Sequence, residues 1–121
     1  LALDEQQIIR LLESGLKKGG YTHSVLDIVA DLKAGRMQAF LNDGAIAITQ
    51  IAIFPQKRVL ELLWCSGVLD DVIGLKEKLI EFAKENECTM GRAYVRPGLV
   101  GPLEQAGWRK AQTVMFFDME N

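Results

Sequence analysis

The run "VLELLWC", residues 59–65, constrains the fold more than any other part of this 121-residue chain. Glu61 is its only charge, and every other residue in it is apolar. A strand with one wet face alternates apolar and polar residues, whereas a nearly unbroken apolar run belongs to a strand covered on both faces. Such a strand needs neighbours on both edges and helices above and below, so the flanking sequence has to supply them.

Upstream, Asp4 is placed to cap a first helix whose Ile8, Ile9, Leu11, Leu12 and Leu16 fall near one face, with Gly19-Gly20 as its stop. Ser24 caps a second helix carrying Val25, Ile28, Val29 and Leu32 at helical spacing, and Gly35 ends it. The pattern then changes. "MQAFLN", the turn Asn42-Asp43-Gly44 and "AIAITQIAIF" predict a hairpin, because Asp-Gly supplies the positive φ that tight hairpin turns require. Pro55 ends its second strand, and "PQKR" turns the chain into the run at 59–65.

Downstream, Ser66-Gly67 breaks that strand and a long helix is expected over residues 71–87. It buries Val72, Leu75, Leu79, Phe82 and Ala83 and turns its Lys and Glu residues to water. "TMGRAYV" follows a helical crossover and so should pair parallel with the strand before it. In "PLEQAGWRK", Pro102 tolerates only a first helical turn and Gly107 can end one, which predicts a one-turn helix. "AQTVMFFDM" reads as a last strand. The expected fold is α/β (α+β), one domain over 1–121, with a mixed central sheet and flanking helices.

Composition excludes several functions. A net charge of −2 argues against general nucleic-acid binding, which needs a surplus of cations on one face. No apolar run approaches the roughly 20 residues of a membrane span, and "LALDEQQ" has neither the basic nor the apolar region of a signal peptide. A cytoplasmic location is therefore expected. Cys65 and Cys88 lack metal-ligand spacing and read as reduced, buried thiols, so no metal site is expected.

The order helix, helix, hairpin, strand, long helix, strand, short helix, strand resembles that of the GNAT family, the acyl-CoA-dependent N-acyltransferases, over nearly the whole chain. The family's usual first strand is missing or hidden. Leu103-Glu104-Gln105-Ala106-Gly107-Trp108 is similar to the Glu-Lys-Leu-Gly-Phe-like segment after the penultimate GNAT strand. "GRAYVRP", residues 91–97, resembles the Gly-Arg-x-aromatic segment of short GNAT-like proteins encoded by tailed bacteriophages.

The resemblance implies acetyl-CoA or another acyl-CoA as substrate, with a small-molecule or peptide amine as acceptor. It also implies a cradle at Cys65, Ser66, Gly67 and Val68, where main-chain groups meet the thioester and the pyrophosphate. The family's Gln/Arg-x-x-Gly-x-Gly/Ala loop corresponds to residues 66–74, which hold one glycine inside the loop and place Asp70 and Asp71 at the helix start. Those acids suit a self-capped helix and repel a pyrophosphate. Glu61 is the candidate base. Strict alternation puts it on one face with Val59, Leu63 and Cys65, although a salt bridge or solvent would satisfy it equally. The family's usual proton donor to the thiolate is a tyrosine where this chain has Leu103, so Tyr94 is the substitute candidate. Arg92 and Arg96 share Tyr94's face on alternation and suit a carboxylate, a phosphate or an acidic partner. His23 is an alternative base in the loop between the first two helices. The competing expectation is a GNAT-like fold without acyl transfer, a binding or structural protein of a bacteriophage or prophage that contacts a second copy of itself or a virion protein.

Overall fold

A computed structural model describes residues 5–18 and 22–119. Its order is α1 (Glu5–Lys18), α2 (Val25–Lys33), β1 (Gln38–Leu41), β2 (Ala45–Ile53), β3 (Arg58–Gly67), α3 (Leu69–Gly74), α4 (Lys76–Glu85), β4 (Met90–Ala93) and α5 (Pro97–Gln105). The strands form one sheet in the order β1-β2-β3-β4, antiparallel for the first two pairs and parallel for β3 with β4. The mixed α+β architecture with a central third strand is thus the one expected.

Both faces of β3 are covered. On one face Ile46, Ile48 and Trp64 pack against Ile8, Leu12 and Leu16 of α1 and Ile28 of α2. On the other, Ala45, Ala47, Leu60 and Leu62 pack against Val72, Leu75 and Leu79 of α3 and α4. These are called the α1 face and the α4 face below. The apolar run in β3 is long because it serves two cores at once.

Local signals explain most boundaries. Ser24 caps α2 through a reciprocal box in which its Oγ accepts from the Asp27 N–H at 3.2 Å and its own N–H donates to Asp27 Oδ2 at 2.9 Å. Gly35 leaves that helix at φ 77°. The expected cap at Asp4 and stop at Gly19-Gly20 lie outside the described residues.

Five local expectations are corrected. The hairpin turns at Asp43-Gly44, with the Asn42 N–H donating to the Ala45 carbonyl at 3.2 Å, but Gly44 does not take a positive φ. The glycine touches another element instead: a Cβ there would overlap the Asp71 carboxylate. Ser66 and Gly67 do not break β3, since they pair with Ile46 and Ala45 to the end of the strand. The long helix starts earlier, at Leu69, and is divided at Leu75, which ends α3 and begins α4. Helix α5 starts at Pro97, five residues before Pro102, because Pro97 also suits a first helical position. Finally, residues 111–118 form no strand. They pair with nothing in the sheet, and Met115 and Phe117 are each 87% exposed.

Helix α5 ends as its sequence promised. Gly107, at φ 101°, donates its N–H to the Glu104 carbonyl at 3.1 Å, while the Trp108 N–H reaches the Leu103 carbonyl at 3.0 Å. This paired closure is a Schellman motif, and it explains the Gly-Trp dipeptide. The Lys76 ammonium caps the same end by donating to the Ala106 carbonyl. Trp108 then lies over Gly91 of β4, where its ring edge would be 3.7 Å from a Cβ.

Candidate active site

Two features of the sheet define the site, and both lie on β3. The first is a bulge. Thr49 pairs with Leu62 and Ile48 with Trp64, so Leu63 has no residue opposite it on β2. The extra residue resets the alternation. Glu61 stays on the α1 face beside Gln50, whereas Cys65 passes to the α4 face and joins that core. Strict alternation, which put Glu61 and Cys65 on one face, fails for this reason.

The second feature is a parting of strands. The β3–β4 ladder ends at the pair Leu62 and Ala93, with a last bond from the Tyr94 N–H to the Leu62 carbonyl at 3.0 Å. Residues 63–67 of β3 continue beside β2 alone. On the α4 face the gap is roofed by Leu99 and Leu103 of α5, leaving an apolar cavity of about 20 Å³ that Leu62, Cys65, Val95 and Trp108 also line. That volume holds roughly one water.

On the α1 face, the polar candidates meet. Glu61 is buried, its side chain only 6% exposed, and three donors converge on it. Arg92 donates Nε to Oε2 at 3.0 Å and Nη2 to the same oxygen. Tyr94 donates its hydroxyl to Oε2 at 2.8 Å, and Gln50 donates Nε2 to Oε1 at 3.1 Å. Register explains the meeting, since Glu61 stands opposite Gln50 on β2 and Arg92 on β4. Burial pushes the Glu61 carboxyl up, but the hydrogen bonds from Arg92, Gln50 and Tyr94 outweigh it and hold the group below its ordinary value. Burial and the neighbouring Glu61 carboxylate raise the Tyr94 hydroxyl. The Arg92 guanidinium lies 5.0 Å from the Phe54 ring centre and 5.8 Å from that of Tyr94.

The remaining candidates are scattered. Cys65 faces the cavity, and burial drives its thiol up to about 11 even though the positive Arg96 opposes the shift. It is a packed thiol at neutral pH, not a nucleophile. The Val68 N–H donates to the Gly44 carbonyl at 2.9 Å, so it is already engaged. Gly67, at φ 127°, lets the Gly44 main chain approach so closely that a Cβ would collide with it. Ser66 pairs with Ile46, and Val68 precedes α3 and is 61% exposed. Asp70 and Asp71 sit in the first turn of α3 without capping it, since Val68 holds the cap position and makes no side-chain cap bond. Arg96 lies past β4 as the residue that begins α5, apart from Arg92. His23 packs edge-on against Trp64 at 4.9 Å and contacts Thr22 Oγ1 at 2.9 Å. Leu103 is buried in the cavity wall.

Sequence reasoning missed Gln50 and the bulge. Gln50 was within reach of it, because counting outward from the turn at residues 54–57, where Ile53 pairs with Arg58, brings Gln50 opposite Glu61.

No protein-family model matches the sequence, and no curated protein matches it either. Solved structures do match. A Trypanosoma brucei acetyltransferase superposes with a TM-score of 0.62 at 16% identity, covering 97% of this chain and 96% of that one. The aminoglycoside N-acetyltransferase AAC(6')-Iy, solved with CoA, gives 0.62 at 12% identity, covering 96% and 91%. An aminoglycoside acetyltransferase from an uncultured soil metagenomic sample, in complex with sisomicin, gives 0.66 at 13% identity, covering 98% and 93%. The chain has the fold of the GNAT acetyltransferases.

Proposed function

We propose that this protein is an N-acyltransferase of the GNAT type, moving an acyl group from acetyl-CoA or another acyl-CoA to a small-molecule or peptide amine in the cytoplasm. The observation that carries this reading is the parting of β3 and β4 beyond Leu62 and Tyr94, next to a buried carboxylate. The acyl arm enters that gap from the end of β3 bearing Ser66 and the exposed Val68. Because the cavity holds only about one water, Leu99 and Leu103 of α5 move aside as the arm enters. With the Val68 N–H engaged by Gly44, the main chain at the Leu63 bulge is the donor that polarises the thioester carbonyl.

The amine approaches from the α1 face. Its nitrogen attacks the thioester carbon, the C–N bond forms, and the C–S bond breaks to release the thiolate. The amine attacks in its neutral form, its ammonium proton having gone to water, and Glu61, held ionised by Arg92, Gln50 and Tyr94, accepts the second proton once the forming C–N bond has acidified the nitrogen. The Tyr94 hydroxyl, bonded to the same carboxylate oxygen, returns a proton to the sulfur.

One observation favours a second reading, a GNAT-like protein of phage origin that binds a partner and transfers nothing. Asp70 and Asp71 stand in the first turn of α3, where a pyrophosphate would be repelled. Calorimetry separates the two. Saturable heat with acetyl-CoA, together with thiol release on adding amines, supports transfer. Glu61→Gln should then lower kcat by about 100-fold or more. Folded protein that gives no heat at millimolar acetyl-CoA removes the first reading.

A further inference from the structure

We infer that this chain reads its acyl donor through the pantetheine arm alone, and that Asp70 and Asp71 turn the nucleotide diphosphate of coenzyme A out into solvent. The inference rests on the acyl-transfer reading above and narrows its donor class to acyl-pantetheine thioesters, whether or not they carry a nucleotide.

A loop that holds a diphosphate needs open main-chain N–H groups, a glycine whose bare side faces the ligand, and a helix end whose field favours anions. The connection from β3 to α3 departs from this on each count. The Val68 N–H is engaged by the Gly44 carbonyl at 2.9 Å. Gly67 turns its bare side to the hairpin, where the Gly44 main chain fills the space of a Cβ. Helix α3 runs for only six residues and opens on Asp70 and Asp71. Carboxylates in a first turn answer the positive end of the helix themselves and repel a further anion. Asp71 is also anchored, since its carbonyl accepts from Asn42 Nδ2 at 2.6 Å.

Nearby cations do not offset those acids. Lys76, which opens α4, donates to the Ala106 carbonyl, and Lys78 donates to the Leu41 carbonyl at 3.0 Å. Arg96 belongs to the other wall of the gap, where it begins α5. What the rim beside α3 does offer is apolar: Val68 and Leu69 are 61% and 40% exposed. Such a rim suits the uncharged arm of pantetheine, with its branched dimethyl carbon, and gives a diphosphate nothing to bind.

Calorimetry on the full chain with acetyl-CoA and with S-acetylpantetheine tests this. S-acetylpantetheine should bind no more than about threefold more weakly, because the nucleotide adds no contact. Asp70→Asn with Asp71→Asn, checked for folding by circular dichroism, should shift the preference toward acetyl-CoA by about 3- to 30-fold, the effect of removing two charges from a helix N-terminus. A stronger preference for acetyl-CoA in the native chain overturns the inference, and so does a double variant whose preference is unchanged. Thiol release on adding amines separates this outcome from the reading beneath it. Donors that bind alike yet transfer nothing refute acyl transfer while the donor preference holds, whereas transfer that requires the nucleotide does the reverse. Binding of neither thioester overturns both.

Discussion

Glu61 shows how a single charge can be isolated in an apolar strand without penalty. Its position opposite Gln50 and Arg92 supplies donors for both oxygens, and Tyr94 adds a third, so burial leaves neither oxygen without a donor. The cluster carries a pH signature. Because the folded carboxyl titrates below its ordinary value of 4.5, its stabilisation is complete above about pH 4.5 and is lost as pH falls through the lower folded value. Urea unfolding followed from pH 7 to pH 3 should show this loss, and Glu61→Gln should flatten it. An unchanged acid limb in the variant would assign the slope to other carboxylates. The special standing of Glu61 was legible from its solitude within the run. Its partners Arg92 and Tyr94 were not, because they depend on a register set about thirty residues away on β4.

At the level of elements, the hairpin, the interior third strand and the parallel crossover could be read from periodicity and turn residues, since each signal is local. Three things could not. The bulge at Leu63 has no signature in an unbroken apolar run, yet it sends Cys65 to the opposite face. The start of α5 was ambiguous because Pro97 and Pro102 both suit a first turn, and the tertiary fit of Leu99 decided for the earlier. The tail at 112–119 has strand periodicity, but pairing belongs to two segments and its sequence describes one. Gly44 illustrates the same limit, for what it touches is α3 and not its own turn. Gly44→Ala should therefore cost less than about 1 kcal/mol, because the atom that a Cβ meets is the free end of the Asp71 side chain and φ here does not demand glycine. Thermal melting measures it, and a larger loss would mean that the Asp71 carboxylate cannot swing aside.

At the scale of the whole molecule, one sheet supports two separate cores, with α1 and α2 on one side and α3 and α4 on the other. Leu12 and Leu75 are fully buried in opposite cores. Leu12→Ala and Leu75→Ala should each cost about 2–5 kcal/mol and, standing on opposite sides of the sheet, should add nearly independently in urea melts. Markedly non-additive costs would show that β3 transmits strain from one layer to the other. At one end of the sheet the Gly44 carbonyl receives the Val68 N–H at the threshold of α3. That one bond makes the hairpin tip a handle: whatever displaces the connection between β3 and α3 must drag the β1–β2 turn along with it, so a dye attached at Asp43 would report movement where β3 passes into α3.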